Sequence, residues 1–148
     1  MIWYILLAII LTAIALWAYF TAQRLNRLHI RTDAALASLQ AALDRRAAVV
    51  AVVLPAAREI AASAESIPLA SGSFEERISR ESELTTAMEP VAEKVPVQLA
   101  DADVRVQLAR RFYNEAVADT RALRLRPAVR VLRLGGTAPL PEFFEYRP

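Results

Sequence analysis

Residues 2–22 read IWYILLAIILTAIALWAYFTA, a run of 21 residues without a charged side chain. About 20 apolar residues in a helix cross the hydrocarbon core of a bilayer. Only helices and closed barrels satisfy their backbone polar groups there, so the segment is predicted to be helical. Aromatic residues lie at both of its ends: Trp3 and Tyr4 at one, Trp17 and Tyr19 at the other. Because amphipathic rings favour the two headgroup levels, we predict a transmembrane anchor over residues 1–22.

Two other interpretations of this segment are weaker. A cleaved signal peptide requires a basic region before the apolar core and small residues at a cleavage site. No Lys or Arg precedes the segment, and Phe20 stands two positions before the candidate site at Ala22. A buried core helix requires apolar partners on every side, which the rest of the sequence does not supply. We therefore expect an uncleaved anchor.

Positive charge is concentrated after the apolar segment. Only the terminal amine precedes it, whereas five arginines follow: Arg24, Arg27, Arg31, Arg45 and Arg46. Basic residues near the ends of a span stay in the cytoplasm. The pattern predicts that the N-terminus lies outside and that the remainder of the chain lies in the cytoplasm.

The composition of the 148 residues excludes several classes of function. The chain has no Cys, one His and three Gly. It therefore lacks thiolate and multi-histidine metal sites and a glycine-rich phosphate loop. The lone His29 is expected to be a solvated side chain rather than a metal ligand. No nucleophile, base or carboxylate pair forms a recognisable site, so we expect neither an enzyme nor a cofactor.

The amphipathic pattern continues beyond the anchor and predicts a long helix. Apolar residues recur at spacings of three, four or seven: Leu25, Leu28, Ala35, Leu39, Leu43, Val50 and Leu54. Pro55 is predicted to bend or divide this helix because it lacks a backbone donor. The apolar run at 47–57, AAVVAVVLPAA, is too short to cross a membrane. We expect it to pack against other helices. If the chain leaves it uncovered, it becomes a partner surface formed by Val49, Val50, Val53 and Leu54.

Two further helices are predicted after this point. A turn at 67–73, IPLASGS, precedes a helix that begins at Ser73, with Glu76 completing a capping box. A last long helix is expected from 102 to 126, ended by Pro127. Its expected buried face comprises Val104, Leu108, Phe112, Val117 and Leu123.

The predicted fold class is all-α. The N-terminal transmembrane helix is expected to continue into a long-helix antiparallel bundle of three main helices over residues 23–134. A tail over 135–148 should then pack on the bundle through its aromatic rings, which are Phe143, Phe144 and Tyr146.

Two stretches carry a resemblance to a known family. Residues 24–46, RLNRLHIRTDAALASLQAALDRR, end in the paired arginines Arg45 and Arg46. Residues 110–127, RRFYNEAVADTRALRLRP, are followed after a link by the tail motif Glu142-Phe143-Phe144-Glu145. In this order they resemble the LemA family of bacterial membrane-anchored helical proteins. That family has a paired-arginine segment in the first soluble helix, an aromatic residue followed by Tyr-Asn in the last, and a Phe-Glu ending.

The resemblance spans roughly residues 24 to 145. It implies one N-terminal transmembrane helix, a helical bundle, no enzyme activity and no cofactor. It also implies a bacterial inner (plasma) membrane and a role connected with membrane organisation. The chain departs from the family pattern at Leu36, where tryptophan is usual, and at Gln40, where aspartate is frequent.

The motif residues are expected to act structurally. Arg45 and Arg46 are predicted to be solvated or to bind carboxylates on neighbouring helices or on another protein. Phe112, Tyr113 and Asn114 precede the tail in sequence, and the polar groups of Tyr113 and Asn114 should cap or bridge between helices.

An arginine-rich stretch follows the Tyr-Asn motif, with no acidic residue from Thr120 to Leu140. It contains Arg121, Arg124, Arg126, Arg130 and Arg133. Such a stretch favours anionic lipid or the acidic face of a partner protein. Nucleic acid is not expected, because the net charge is only +2 and no groove-reading motif accompanies the arginines. In an up–down–up bundle the last helix would end away from the membrane, which favours a protein partner.

These observations predict a single-pass membrane scaffold or accessory subunit. It would act through contacts with other membrane proteins or with a second copy of itself. The expected contact residues are the apolar run and the four arginines Arg124, Arg126, Arg130 and Arg133. The alternative is a membrane-organising protein whose arginine-rich segment binds anionic lipid.

Overall fold

The chain forms an all-helical structure. A computed structural model describes residues 1–145, with the side chains of 91–93 excepted, and this part of the chain contains no β-strand. Its five α-helices are α1 (Ile2–Val53), α2 (Arg58–Glu65), α3 (Phe74–Met88), α4 (Val97–Arg124) and α5 (Pro127–Val131). Short 3₁₀ segments at Pro55–Ala57 and Glu89–Lys94 precede α2 and follow α3.

Helix α1 has 52 residues and two distinct parts. Residues 2–20 are exposed apart from the half-buried Ala18, whereas the part from Thr21 onward contributes buried residues at regular intervals. Among the described residues, α1 is the one helix long and apolar enough to cross a membrane. The exposure of its apolar part excludes the buried-core interpretation, because a core helix would be covered on every side.

The chain reverses at Pro55, as the sequence predicts. Helix α1 ends at Val53, Leu54 leaves helical geometry (φ −126°, ψ 83°), and Pro55 begins a 3₁₀ turn. Proline lacks the amide that would continue the helical ladder, so the helix divides here. Helix α2 then packs back on the end of α1, with Ala57 and Ala61 against Ala47 and Val50.

Helix α4 lies along α1 and runs in the opposite direction. Moving down α4 toward its N-terminus, Leu123 packs near Leu25, Thr120 lies 2.9 Å from the Thr32 hydroxyl, and Asp103 pairs with Arg46. The C-terminal end of α4 therefore lies beside the apolar segment of α1. The expectation that the last helix ends away from this segment is wrong, because α4 pairs directly with α1 over most of its length.

The buried face of α4 also differs from the predicted one. Val117 and Leu123 are buried as expected, but Val104, Leu108 and Phe112 are exposed. The residues that α4 buries instead are Leu99, Ala102, Val106, Tyr113, Ala116 and Thr120. The facing side of α1 presents Thr32 and Arg46, and these groups require small or polar neighbours rather than large apolar ones.

The predicted capping box at the start of α3 is also wrong. The helix begins at Phe74, and Ser73 makes no side-chain cap to it, so the predicted capping box with Glu76 does not form. The Ser73 hydroxyl instead stabilises the preceding turn, accepting from the Ala70 amide and donating to the Pro68 carbonyl.

Candidate functional site: a basic end beside the apolar helix

The tail is fixed to α4 by the Tyr-Asn motif. The Tyr113 hydroxyl donates to the Glu142 carbonyl at 2.7 Å. The Asn114 side chain binds the Phe144 backbone twice, accepting from its amide at 2.9 Å and donating to its carbonyl at 3.2 Å. The Phe144 ring is fully buried against Phe74, with ring centroids 6.0 Å apart. Two of the three motifs quoted for the family resemblance, Tyr-Asn and the tail motif, therefore meet in one contact.

Burial keeps the Tyr113 hydroxyl protonated. Burial, followed by the nearby negative charges of Glu142 and Asp33, raises the pKa of Tyr113 to about 12. A phenol with this pKa remains a hydrogen-bond donor at every physiological pH. Phe143 and Glu145 flank the buried ring on the exposed side of the tail, and Tyr146 lies outside the described residues.

Two arginines of the arginine-rich stretch also bind the tail. Arg121 donates to the Pro141 carbonyl at 3.1 Å, and its guanidinium lies 5.5 Å from the centre of the Phe143 ring. Arg124 donates to the carbonyls of Pro139 (2.9 Å) and Ala138 (2.6 Å). Arg124 was expected to contact a partner or lipid. The structure corrects this expectation, because its guanidinium is engaged by backbone carbonyls of its own chain.

The remaining arginines lie exposed at the end of the body next to the apolar segment. Val129 of α5 packs with Leu25 and Leu123, and Gly135 lies close enough to Leu25 that an added Cβ would be 3.6 Å from it. Leu25 is three residues beyond Ala22, about 4.5 Å along the helix axis. We call this the basic end and define it by Arg24, Arg27, Arg126, Arg130 and Arg133, all of which are exposed.

The basic end has the character of a membrane-facing surface. None of its five arginines pairs with a carboxylate among the described side chains. Apolar side chains accompany them on the short segment after Pro127, where Val131 is 80% exposed and Leu132 is 46% exposed. Exposed apolar groups beside unpaired arginines suit an interface between headgroups and acyl chains.

The paired arginines have divergent environments. Arg45 is exposed, whereas Arg46 is 2% exposed and binds three groups from two other helices. Its Nη1 lies 3.2 Å from Glu81, its Nη2 donates to Thr85 at 2.8 Å, and its Nε lies 2.6 Å from Asp103. Arg46 therefore joins α1 to α3 and α4.

A second buried arginine completes this ionic network. Arg77, fully buried, contacts Glu81 at 2.9 Å and Asp44 at 2.8 Å, and donates to the Ile67 carbonyl at 2.7 Å. Burial raises the pKa of Glu81, and the neighbouring Arg77 and Arg46 oppose this shift. The i, i+4 spacing of Arg77 and Glu81 predicts an exposed helical ion pair. The pair forms, but the expectation that it lies exposed is wrong, because both side chains are fully buried.

The apolar run after the paired arginines is largely covered by the chain itself. Val50 is fully buried, and Val49, Val53 and Leu54 are partly buried, with α2 packed beside them. The prediction that Val50 contacts a partner is therefore wrong in this conformation, because its side chain is covered by the chain itself. The most exposed member of the run is Val52, at 78%.

The described residues contain no group of three or more His, Cys, Asp or Glu placed to hold a metal ion. Comparison with known proteins adds no assignment: no protein-family model, curated protein or solved structure matches this chain.

Proposed function

We propose that this protein is a single-pass membrane protein that holds a helical body against an anionic bilayer surface through the basic end. The apolar part of α1 spans the membrane, and the rest of α1 with α3 and α4 forms a three-helix antiparallel bundle on its cytoplasmic side. The observation that carries this proposal is the position of Arg126, Arg130 and Arg133, packed through Val129 onto the first turn of α1 beyond the apolar segment.

Electrostatics favours lipid as the ligand of this surface. Each basic residue near an anionic membrane surface contributes ~1 kcal/mol of attraction, which decays within a Debye length of about 8 Å at physiological salt. Leu25, on which Val129 packs, is about 4.5 Å along α1 from Ala22, and this supports a position of the arginines near the headgroups. The same charges favour retention of the body in the cytoplasm of a bacterial inner membrane.

A fluorescence experiment on the full-length protein in lipid nanodiscs tests the proposal. The chain has no cysteine, so Ala128→Cys on α5 gives a single labelling position beside the three arginines. We expect headgroup-attached nitroxide lipids to quench this label more in phosphatidylglycerol-containing discs than in pure phosphatidylcholine discs. The difference should disappear at high salt and in the Arg126→Gln/Arg130→Gln/Arg133→Gln variant.

Two controls separate this contact from general charge attraction. The triple variant Arg45→Gln/Arg58→Gln/Arg105→Gln removes three exposed arginines away from the basic end and should leave the quenching unchanged. A label at Ser82→Cys on α3, next to the residue that binds Arg46, should not be quenched, because Arg46 is about 36 Å along α1 from Ala22. Equal quenching at 128 in both lipids, unaffected by the arginine substitutions, would refute the proposal.

A scaffold or accessory subunit that acts through protein contacts is the second candidate function. The observation that favours it is an apolar stripe left uncovered on the outer side of α4, formed by Val97, Val104, Leu108 and Phe112. Chemical crosslinking in intact membranes, read by mass spectrometry, tests it. Crosslinks from α4 to one defined neighbour, or to a second copy, would support the scaffold. Their absence would leave lipid binding as the remaining proposed function.

We further propose that the chain is a divergent LemA-like protein without catalytic activity. The support is local: the paired-arginine segment supplies the buried Arg46, and Tyr113 and Asn114 hold the tail motif. In this interpretation the motifs serve folding. Their substitution should therefore destabilise the protein rather than remove a chemical step.

A further inference from the structure

A partly enclosed cavity lies between the body of α1 and the tail. Its volume is 320 Å³, which lies within the range of cavities that hold small organic molecules. Its described walls come from α1, the start of α3, α4 and the tail at 138–142. It does not include any residue of the basic end, so its chemistry is independent of the lipid contact.

The cavity is acidic. Among its described lining residues are two carboxylates, Asp33 and Glu142, and no arginine or lysine. Both carboxylates lie close enough to Tyr113 to affect it: besides burial, the negative charges of Glu142 and Asp33 raise the pKa of Tyr113. Two carboxylates in a partly enclosed space can bind a positively charged occupant directly.

Two further features of the lining suit an organic cation. Phe74 and Tyr113 are stacked, with centroids 6.1 Å apart and an interplanar angle of 29°, and both line the cavity. Aromatic rings attract cations electrostatically. Leu36 and Leu140 supply apolar surface for the remainder of a ligand.

The imidazole of the chain's one histidine forms a further part of the cavity wall. His29 lines the cavity, and its Nε2 is buried without a hydrogen-bond partner in the described chain. A nitrogen buried in this way is out of reach of solvent, so a ligand in the cavity would meet the rest of the imidazole ring. The expectation of a solvated histidine is therefore wrong for this atom.

We propose that this cavity binds a small primary ammonium compound with a short apolar part. Asp33 and Glu142 bind the cationic group, the Phe74–Tyr113 wall and Leu36 contact the apolar part, and the His29 ring lies beside the bound compound. His29 is about 10 Å along α1 from Ala22, so the ammonium group belongs either to a soluble amine or to the headgroup of a phospholipid.

The chain's single histidine makes the test specific, because its imidazole gives one Cε1–H nuclear magnetic resonance signal. The full-length protein in neutral detergent micelles is titrated at constant pH with n-butylammonium and, separately, with butyrate of the same chain length. We expect n-butylammonium to shift the His29 signal saturably and butyrate to leave it unchanged. Equal shifts, or shifts that do not saturate, would overturn the proposal.

Substitutions locate the site. Asp33→Asn should weaken n-butylammonium binding by about tenfold or more, because it removes one charge-assisted hydrogen bond. The matched control Asp119→Asn changes an exposed acid that pairs with Arg31 outside the cavity, and binding should stay within about twofold. Glu142→Gln gives an independent test, since it retains the backbone carbonyl that Tyr113 uses. Wild-type affinity in both cavity variants would overturn the assignment.

A final comparison distinguishes the two sources of the ammonium group. The His29 signal is recorded in nanodiscs of phosphatidylethanolamine with phosphatidylcholine and in nanodiscs of phosphatidylcholine alone, without added amine. A different His29 shift in the first discs, abolished by Asp33→Asn, assigns the cavity to the lipid headgroup. Identical spectra, together with saturable n-butylammonium binding, assign it to a soluble amine.

Discussion

Removing the Phe144 ring should release the tail from the body. The ring is fully buried, and it packs on Phe74, which in turn stacks on Tyr113. Truncation of a buried Phe to Ala costs about 3–5 kcal/mol through lost transfer energy and cavity formation. We expect Phe144→Ala to cost about 3 kcal/mol, the lower end of this range, because a terminal segment can relax or detach.

The adjacent Phe143 provides a matched control. It has the same chemistry, but it is 40% exposed and its ring contacts Arg121 at the surface. Phe143→Ala should cost about 0.5–1 kcal/mol, the value of one exposed cation–π contact. The two variants therefore remove identical groups from neighbouring positions and differ only in burial.

Urea unfolding of the full-length protein in detergent micelles, followed by far-UV circular dichroism, measures both costs. Hydrogen exchange reports on the tail itself, since the Phe144 amide donates to Asn114 and should lose protection in Phe144→Ala. Equal destabilisation by the two substitutions, or a cost below about 1 kcal/mol for Phe144→Ala, would refute the argument that the ring anchors the tail.

Three further predictions concern the buried polar groups, each measured by the same urea unfolding. Arg46→Leu should cost about 3–5 kcal/mol because it leaves the fully buried Glu81 with one cation instead of two, whereas the exposed Arg45→Leu should change stability by less than about 0.5 kcal/mol. Burial is the chief cause that raises the pKa of Glu81 above 4.5. The stability of the wild type relative to Glu81→Gln should therefore be greatest below pH 4.5 and fall as the pH rises through the raised pKa. A stability difference that grows with pH would contradict this expectation. Thr32→Val should cost about 1–2 kcal/mol by leaving the buried Thr120 hydroxyl without its partner, and Thr32→Val/Thr120→Val should cost less than the sum of the two single variants.

The features that follow from local chemistry could be predicted from the sequence. The absence of charge over residues 2–22 predicted an apolar helix, and Pro55 and Pro127 predicted where α1 and α4 end. These signals act within a few residues and do not depend on what lies opposite.

The pairing of helices could not be predicted in the same way. Val104, Leu108 and Phe112 have helical spacing, but α4 turns a different face toward α1 because Arg46 and Thr32 require Asp103 and Thr120. Periodicity records which residues share a face, and the partner decides which face is buried. The position of the basic end also depends on how α4 pairs with α1. Because the sequence does not show this pairing, the prediction placed the arginines at the wrong end of the body.

The two ends of the body are held by different forces, and this separates membrane contact from folding. At the far end, buried ion pairs of Arg46 and Arg77 join three helices, so substitutions there act on stability. At the basic end, Leu25, Leu123 and Val129 supply the packing, and the arginines beside them are exposed and make no ion pair with any described side chain. Neutralising Arg126, Arg130 and Arg133 therefore removes charge without removing a contact on which the fold depends. If these substitutions unfolded the protein, the arginines would be structural, and the proposal that the basic end binds lipid would lose its support.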